Sequence, residues 1–565
     1  MKPAPRTWQY RSEASRDPRL PLLQRVLAAR PYLEQTAKGT DAAETGDPLL
    51  LPDMDKAVSL IRDALARNDL IAIYGDYDTD GVTASALLVR AFRSVNARIL
   101  PYIPDRQTEG YGLNAPALED LASQGTGLVI TVDCGTTSTE IVTHRPKGMR
   151  MIITDHHLPP SDRNGAPRAL PPADALINPK LPHSSYPFDG LAGVGVAWKL
   201  VEACERAGVL PEGSAGREVG LAALGTIADI MPLTGENRFI VQRGLSRLSE
   251  GGNLGMYALA AVSRIDLPLR AQDVAFGLGP RINAAGRLET AHAALELCLT
   301  DDPEAASRLA RELDSVNTVR KERLAAALSE AEMMVEALPE ESPVIVVGSP
   351  DWHMGIVGLV AGRLMERYAR PSFAVALDPL EAKGSGRSLP GIPILDLLKG
   401  SDAHLTKYGG HAAAAGFSLE AASYPAFRDA LLTHASSQGL PADPARTFSL
   451  DGILLGQEVT LDSVSCLDSL EPFGYGNPQP QLALLDCTVR RTRTFGRDRT
   501  HLGITVETSD KATVEVIAFN KADIQHHLPA GRPVDCCVTL ERHTWNGMET
   551  PQLLLKDIQP HRTSA

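Results

Sequence analysis

The chain has 565 residues, of which 43% are hydrophobic and 22% are charged. A chain of this length exceeds a single hydrophobic core, so we expect roughly two to four domains, and the composition excludes disorder along the whole chain. The formal net charge of −13 argues against general affinity for polyanions but leaves room for a local basic surface that binds nucleic acid.

The sequence contains no apolar stretch long enough to span a membrane, and its first residues lack the apolar segment of a secretion signal. Its seven cysteines form no C-x-x-C pair and no regular disulfide framework. Reduced thiols are therefore the favoured interpretation. We expect a cytoplasmic protein that binds no membrane.

Residues 1–50 are basic and carry no motif, so they are treated as an N-terminal extension. After them, four apolar runs predict buried β-strands at residues 70–75, 97–103, 127–133 and 149–154. Helical patterns lie between the strands, at 82–95 and 115–125. This alternation predicts an α/β lobe with a doubly wound parallel sheet, and further helical patterns extend the lobe to about residue 300.

After this lobe, the pattern of residues 301–339 predicts one long helix, or two helices end to end. Asp302 is a candidate N-cap, Pro303 suits the first turn, and Pro339 ends the pattern. No glycine or proline interrupts it between Pro303 and Pro339. Because the pattern is mainly polar, we expect the helix to bridge two lobes.

The second half of the chain changes character twice. Residues 340–438 contain a strand, a helix and a strand, at 343–349, 355–369 and 372–377, which predicts a second α/β lobe. A linker-like segment follows at 439–445. From there to the last residue, short alternating strands predict a small β-barrel or sandwich, with the OB-fold as the favoured form.

Acidic and histidine-containing segments stand where apolar strands are expected to end. They supply Asp76, Asp78, Asp80, Asp133, Asp155, His156, His157 and Asp229. In open α/β sheets ligands bind beyond the carboxyl ends of the strands, so these segments are expected to converge on one crevice. Mixed carboxylate and imidazole ligands suit Mn²⁺, Zn²⁺ or Fe²⁺, whereas all-oxygen sites suit Mg²⁺ or Ca²⁺. So many ligands fill two ions more easily than one, an arrangement typical of phosphoryl hydrolysis, and Asp133 is the simplest bridging ligand.

Each segment taken singly has a simpler explanation. Residues 76–81 are compatible with an Asp-rich turn or a calcium loop, although Leu87 stands where such a loop needs its glutamate. Residues 155–157 are compatible with a capped turn, and Asp229 with a helix end. Only a metal site explains why all of them stand at the ends of apolar runs.

Four short motifs occur in the order GDYDTDG, VDCG, TDHH and ADIMPL, at residues 75–81, 132–135, 154–157 and 228–233. Together they resemble the motifs of the DHH phosphoesterase superfamily. Later segments narrow the resemblance to the RecJ family of single-strand-specific 5′→3′ DNA exonucleases. These segments lie at 104–112, 279–287, 352–364, 384–388, 409–417 and 471–480.

The resemblance implies a fold of two α/β lobes joined by the long helix, followed by a C-terminal β-barrel of OB-fold type. The lobes would be a DHH catalytic domain at 51–300 and a DHHA1 substrate-binding domain at 340–438. The helix would cover 301–339, and the OB-fold, which would bind single strands, 439–565.

The resemblance also implies two divalent ions, Mn²⁺ or Mg²⁺. One ion would be held by Asp80, Asp133, His156 and Asp229. The other would be held by Asp78 and Asp133, with Asp76 as a further ligand. His157 would face the scissile phosphate, and Asp155 would orient a histidine ring.

Recognition of a strand end needs further residues. The resemblance implies a 5′-phosphate pocket made by Arg106, Ser385 and Arg387, and Arg281 is another candidate for phosphate binding. His411 and His353 would lie near substrate phosphates in the cleft between the lobes. The alternatives are ion-paired surface arginines, close packing of the glycine-rich segment 409–417, and a packed loop histidine at 353.

The C-terminal strands carry a basic cluster with aromatic residues, made by Arg490, Arg491, Arg493, Phe495, Arg497, Arg499 and, further along, Trp545. Basic residues with interleaved aromatics suit single-stranded nucleic acid, whose backbone needs charge and whose bases stack. A solvated hairpin with charges that protect a sheet edge is the alternative.

The leading hypothesis is a metal-dependent exonuclease that hydrolyses single-stranded DNA from a 5′ end to 5′-mononucleotides in DNA repair and recombination. The family's partners imply a single-strand-binding protein and a helicase, and we expect a monomer. A phosphodiesterase for short oligonucleotides is a rival, against which the C-terminal barrel argues. A catalytically silent DNA-binding scaffold is a second rival, and it would be expected to lose metal ligands.

Overall fold

The computed structural model describes residues 6–34, 46–106, 108–110, 112–161, 166–288, 290–440 and 446–561. The chain divides into two compact units. Unit 1 comprises residues 1–3, 43–443 and 474–477, and unit 2 comprises residues 4–42, 444–473 and 478–565. Most of the linker predicted at 439–445 lies outside the described residues.

The described residues contain the strands β1 (Arg6–Tyr10), β2 (Leu70–Tyr74), β3 (Ile99–Tyr102), β4 (Thr126–Val132), β5 (Arg150–Thr154), β6 (Ala175–Ile177), β7 (Ile345–Ser349), β8 (Ser372–Ala376), β9 (Ala382–Arg387), β10 (Lys407–Gly410), β11 (Ala414–Leu419), β12 (Arg446–Leu450), β13 (Gly452–Ile453), β14 (Leu482–Phe495), β15 (His501–Glu507), β16 (Thr513–Ala518), β17 (Pro533–Trp545) and β18 (Met548–Pro560).

The α-helices in the same residues are α1 (Leu22–Ala29), α2 (Met54–Ala66), α3 (Thr79–Arg93), α4 (Ala115–Ser123), α5 (Thr139–Thr143), α6 (Gly193–Arg206), α7 (Ser214–Ala228), α8 (Gly235–Ser249), α9 (Leu254–Val262), α10 (Ala271–Asp273), α11 (Gly279–Leu288), α12 (His292–Leu299), α13 (Pro303–Glu336), α14 (Val357–Tyr368), α15 (Ile394–Lys399), α16 (Tyr424–Ser437) and α17 (Leu461–Asp468). None of these helices is both long enough and apolar enough to cross a membrane.

In the described part of the first lobe, the strands form a parallel sheet in the order β3-β2-β4-β5-β6. The four predicted strands are confirmed, and the doubly wound class follows because helices cover the continuously apolar strands. The sequence analysis missed β6, since three residues are too few for a recognisable pattern. Helix α3 is almost wholly buried because it packs against α6 and α7.

The predicted connecting segment is one helix, α13, of 34 residues. Asp302 caps it as predicted, because its carboxylate accepts hydrogen bonds from the backbone N–H groups of Glu304 and Ala305. The helix packs against α9, α11 and α12 in the first lobe and against α14 and β7 in the second. The two lobes therefore share one continuous element.

In the described part of the second lobe, the strands form a mixed sheet in the order β10-β11-β9-β8-β7. Strand β9 alternates between the two faces, with Gly384 and Gly386 buried. A side chain at Gly384 would lie 2.2 Å from the ring of Phe417, so only glycine fits there. Period-2 alternation then leaves Ser385 and Arg387 on the opposite face.

Unit 2 is a β-barrel whose described strands run in the order β13-β14-β15-β16-β18-β17, and it closes through pairing of β14 with β17. The predicted OB-fold type is confirmed, and the sandwich alternative is wrong. Residues 4–42 of the N-terminal extension, which carry no motif, belong to this unit. Strand β1 pairs in parallel with β12, and α1 packs against β13 and α17.

Buried ion pairs explain why this N-terminal segment is basic. The guanidinium of Arg30 contacts both carboxylate oxygens of Asp451 at 2.7 Å, and each side chain is only 1% exposed. Arg25 is fully buried and pairs with Glu458. Such pairs are costly to break because one partner is then left charged and desolvated.

We expect Arg30→Ala to destabilise the barrel unit by about 3 kcal/mol, because Asp451 loses its buried partner and keeps only the partly exposed Arg11. Native-state hydrogen exchange at the amides of β14 and β17 measures this loss. The matched control is Arg19→Ala, since Arg19 pairs with Asp17 at the surface and its removal should change stability far less. Equal losses for the two variants would contradict the structural role of Arg30.

Candidate metal centre

The loop between β2 and α3 carries the first three aspartates. Asp78 is the N-cap of α3, and one of its carboxylate oxygens accepts hydrogen bonds from the N–H groups of Asp80 and Gly81, at 2.9 and 3.1 Å. Asp80 accepts from the N–H groups of Gly193 and Val194, at 2.7 and 2.9 Å, at the start of α6. Two helix N-termini therefore hold these carboxylates in place.

Asp133 follows β4 in a left-handed backbone conformation, with φ of 60°. A side chain at Gly193 would lie 2.6 Å from its Cβ, so glycine at that position lets α6 approach it. One carboxylate oxygen of Asp133 and one of Asp76, each Oδ1, are buried with no hydrogen-bond partner in the described structure. Buried oxygens of this kind call for a cation.

His156 presents one ring nitrogen to this cluster. Its Nδ1 donates to the backbone carbonyl of Leu191 at 3.1 Å, which leaves Nε2 as the acceptor. Nε2 lies 3.1 Å from Oδ1 of Asp133, 3.6 Å from Oδ2 of Asp229 and 3.8 Å from Oδ2 of Asp80. Burial lowers the pKa of His156 to about 3, so the ring is neutral, as a metal ligand must be.

Asp155 organises the DHH segment. Its Oδ1 accepts from the N–H groups of His156 and His157 and from Nδ1 of the His157 ring, at 2.7, 3.0 and 2.8 Å. Its Oδ2 accepts from the N–H of Thr136 at 2.8 Å. Burial alone would raise the pKa of Asp155, but the hydrogen bond from the His157 side chain holds it below its usual range. Asp155 is thus an ionised carboxylate that fixes the His157 ring.

His157 carries a proton at neutral pH. Burial alone would lower its pKa, but the hydrogen bond to Asp155 raises that pKa to about 9. The two histidines of the segment therefore differ in charge, although they are neighbours in sequence. Their environments assign them different chemistry: His156 offers a lone pair, and His157 offers an N–H donor.

The remaining carboxylates repel one another. Burial, followed by mutual repulsion, raises the pKa of Asp80 to about 7 and the pKa values of Asp76, Asp133 and Asp229 well above the ordinary range. Without added positive charge the cluster must take up protons. The donors present therefore fit divalent cations.

The described residues offer three sets of ligand atoms in which the atoms lie within 4.8 Å of one another. The first set combines Asp80, His156 and Asp229, and the second combines Asp76, Asp78 and Asp133. A third, Asp133, His156 and His157, shares residues with both, but its His157 ring already donates through Nδ1 to Asp155. Oδ1 of Asp133 lies 3.1 Å from Nε2 of His156 and so adjoins both sets. The first set offers nitrogen and oxygen and the second only oxygen, which suits ions such as Mn²⁺ and Mg²⁺.

Three guanidinium groups gather beside this centre. Arg106 lies over the ring of Tyr77, 5.0 Å from its centroid. Arg387 donates to the Ser385 hydroxyl at 2.7 Å. Burial and then the charge of Arg106 lower the pKa of Arg387, and also that of Arg287 to about 10. No carboxylate of the described residues lies within 4.0 Å of these three guanidinium groups. Their positive charge is therefore suited to binding an anion.

Arg287 is the residue of this group that the sequence analysis missed. The analysis chose Arg281 from the same motif, but Arg281 pairs with Asp314 at 2.8 Å and donates to the carbonyl of Gly277. The two arginines lie six residues apart on α11, which places them about 240° apart around the helix. Helical periodicity would have shown that only one of them can face the site.

The two predicted cleft histidines have different surroundings. The ring of His411, from the second lobe, lies parallel to that of His157, with 6.3 Å between centroids and 15° between planes. Nδ1 of His353 accepts from the N–H of Gly355 at 3.0 Å. His353 lines a groove with Arg323 of α13. His411 therefore adjoins the metal centre itself, whereas His353 lies nearer the arginines: the charge of Arg106 acts on it, and Gly355 beside it accepts from Arg287 at 3.4 Å.

The barrel arginines fall into two groups. Arg490 pairs with Glu507, and Arg493 pairs with Glu515 while lying 5.3 Å from the centroid of the Phe495 ring. The other group is exposed and, within the described residues, has no carboxylate within 4.0 Å: Arg491, Arg497 and Arg499. Trp545 is 70% exposed at the end of β17.

Comparison with known proteins places these features in a family context. Three family models match the chain: DHH family, N-terminal domain, at residues 70–226; DHHA1 domain, at 341–436; and RecJ OB domain, at 450–557. The single-stranded-DNA-specific exonuclease RecJ of Dickeya dadantii is 36% identical, over 95% of this chain and 96% of that protein. RecJ of Bacillus subtilis is 35% identical over 92% of this chain, which spans 65% of that longer protein.

Solved structures agree with the sequence comparison. The crystal structure of Thermus thermophilus RecJ in complex with Mn²⁺ superposes with a TM-score of 0.80 at 31% identity, covering 98% of this chain and 80% of that one. The Mg²⁺ complex from the same organism gives 0.75 at 30% identity, covering 99% and 79%.

Asp133→Asn should abolish stabilisation by Mn²⁺, because Asp133 adjoins both ligand sets. In metal-free protein the same variant should be more stable, because burial and the neighbouring carboxylates raise the pKa of Asp133 and the amide removes that charge. Asparagine tolerates the left-handed backbone, so the backbone at this position is preserved. Thermal unfolding with EDTA and with added Mn²⁺ measures both effects.

The control for this variant is Asp63→Asn, at an exposed position on α2, which should leave both unfolding temperatures unchanged. A full Mn²⁺ response in Asp133→Asn would rule out Asp133 as a metal ligand.

In EDTA, the free energy of unfolding should fall as the pH rises from about 6.5 to 9. Over this window the folded protein keeps protons that the unfolded chain has released, chiefly on His157, whose pKa is raised to about 9, and up to about pH 7 on Asp80, whose pKa is raised to about 7. Bound Mn²⁺ would displace the Asp80 proton and offset the charges of Asp80 and Asp229 that help to raise the pKa of His157, so saturating metal should flatten the slope. Urea unfolding at several pH values tests this, and equal slopes with and without metal would contradict it.

Proposed function

The chain belongs to the RecJ family of single-stranded-DNA-specific exonucleases, and from that premise we propose that it hydrolyses single-stranded DNA in the 5′→3′ direction. Its products are 5′-mononucleotides, and its role lies in DNA repair and recombination. The observation that carries the direction is the position of three guanidinium groups, without a carboxylate partner, beside the metal centre. They form a pocket for a terminal phosphate next to the reacting bond.

The metal centre would hold two divalent ions, Mn²⁺ or Mg²⁺. Asp80, Asp133, His156 and Asp229 would hold one, and Asp76, Asp78 and Asp133 would hold the other. When bound, the ions supply Lewis acidity that lowers the pKa of water and neutralises charge on a phosphoryl oxygen. The unpartnered oxygens of Asp76 and Asp133 support direct ligation by both residues, including Asp76, whose role the sequence analysis left open.

The neighbouring residues orient the scissile phosphate. His157 is protonated at neutral pH and is held through Nδ1 by Asp155, so Nε2 can donate to a nonbridging oxygen as charge develops there. His411 lies parallel to the His157 ring and closes the phosphate site from the second lobe. The leaving group is the 3′-hydroxyl of the terminal nucleotide.

The 5′-phosphate pocket comprises Arg106, Arg287, Ser385 and Arg387. The ring of Tyr77 supports Arg106, and Ser385 aligns the Arg387 guanidinium. Arg281 is absent from this proposal because Asp314 already occupies its guanidinium. The charge of Asp78 acts on Arg287, which supports a pocket directly beside the metal ligands.

The barrel supplies contacts to the rest of the strand. The exposed group Arg491, Arg497 and Arg499 suits the backbone, and Phe495 and Trp545 suit base stacking. Arg490 and Arg493 are occupied by glutamates and shape the surface instead. A single-strand-binding protein and a helicase deliver ends to the enzyme, which works as a monomer in the cytoplasm.

The test compares 5′-phosphorylated and 5′-hydroxyl single strands, labelled at either end, in Mn²⁺ and in EDTA. We expect release of labelled mononucleotide from the 5′ end only, and only with metal. Blunt duplex should resist, because the site accepts a single strand. Release from the 3′ end, or equal rates on duplex, would contradict the proposal.

Arg387→Ala should lower kcat/KM on 5′-phosphorylated strands by about 10–100-fold and leave 5′-hydroxyl strands nearly unaffected, because one charge-assisted contact is worth about 1.5–3 kcal/mol. The matched control is Arg363→Ala, an exposed arginine on α14 that pairs with Glu366. An unchanged preference for 5′-phosphate in Arg387→Ala would remove Arg387 from the pocket.

A further inference from the structure

Charged residues follow the carboxyl ends of all the described strands of the first sheet. The spatial order of strands is β3-β2-β4-β5-β6, and neighbouring strands lie about 5 Å apart. Arg106 follows β3 at one edge, and the metal ligands follow β2, β4 and β5. At the other edge, Lys180 follows β6. The metal centre therefore lies between two cations, Arg106 at the β3 edge and Lys180 at the β6 edge.

The segment that carries Lys180 is anchored to the DHH segment. Its backbone N–H donates to the side chain of Asn178 at 2.9 Å. The buried Asn178 in turn donates to the carbonyl of His157 at 2.9 Å and to the hydroxyl of Thr136 at 3.0 Å. The N–H of Asp155 donates to the carbonyl of Ile177 at 3.0 Å. These bonds fix Lys180 relative to the scissile-phosphate residues.

The side chain of Lys180 lies within electrostatic reach of the centre. After burial and the charge of His157, its ammonium helps to lower the pKa values of His156 and His411, and it partly offsets the rise that burial causes in the pKa of Asp229. Arg106 acts instead on Asp76 and on the arginines of the phosphate pocket. Lys180 is half-buried, and none of the described carboxylates lies within 4.0 Å of its Nζ.

We propose that Lys180 binds the phosphodiester one position to the 3′ side of the scissile bond. This inference rests on the proposed function, which puts the 5′-phosphate at the β3 edge and the scissile phosphate at the metal centre. A DNA strand that continues along the carboxyl ends of the β-strands brings its next phosphate to β6. The half-buried ammonium there has no acidic partner and meets that charge.

A chemical double-mutant cycle tests this contact. The substrate is a 5′-phosphorylated trinucleotide, with either a normal phosphodiester or an uncharged methylphosphonate between its second and third nucleotides. The enzymes are the parent, Lys180→Met, which keeps length without charge, and Lys180→Arg. The control is Lys147→Ala, because Lys147 is exposed and precedes β5, at the amino ends of the strands and away from the metal centre.

On the normal trinucleotide, Lys180→Met should lower kcat/KM about tenfold, mainly through KM, and Lys180→Arg should restore most of it. On the methylphosphonate, the parent should already be about tenfold slower, and Lys180→Met should lose nothing more. Lys147→Ala should match the parent on both substrates.

An equal loss for Lys180→Met on the two substrates would overturn the proposal, because Lys180 would then act on the metal centre rather than on that phosphate. No loss on either substrate would overturn it as well. Failure of the proposed function looks different, since the parent enzyme itself would then not release a 5′-mononucleotide from the normal trinucleotide.

Discussion

The structure depends on one electrostatic constraint: several carboxylates are buried together at the carboxyl edge of a parallel sheet. Burial removes the water that would screen them, so each raises the pKa values of its neighbours. Proteins tolerate such a cluster only when cations or protons compensate it. The apolar strands and tightly packed helices of the first lobe hold these carboxylates in positions where metal ions can bind.

Hydrogen bonds from the protein occupy some of the aspartate oxygens and leave others available to a ligand. The first turns of α3 and α6 satisfy oxygens of Asp78 and Asp80, while Asp155 accepts from the DHH segment through Oδ1 and from Thr136 through Oδ2. The oxygens left without partners, on Asp76 and Asp133, face inward. Backbone hydrogen bonds thus orient Asp78 and Asp80, which keep further lone pairs for metal, and leave Oδ1 of Asp76 and of Asp133 available to a ligand.

The second lobe supplies the opposite charge. Its glycine-alternating strand β9 keeps one face flat against the core and exposes Ser385 and Arg387 on the other. The long helix α13 packs on both lobes, so this face is held over the metal loop, where Arg106 and Arg287 join it. Negative and positive charge are thereby set side by side, as a phosphate chain bound between metals and arginines requires.

The sequence by itself determined the parallel sheet, an uninterrupted helical segment with its Asp302 cap, a C-terminal domain of short strands and the metal-ligand candidates. These depend on local periodicity and, except for Asp229 at the end of α7, on residues at strand ends. Tertiary structure alone decided which arginine of 279–287 faces the site, that the N-terminal segment belongs to the barrel unit, and that Lys180 shares an edge with the DHH segment. Those outcomes depend on the facing of a helix, on buried ion pairs and on strand order. Such long-range relations leave no periodic trace in the chain.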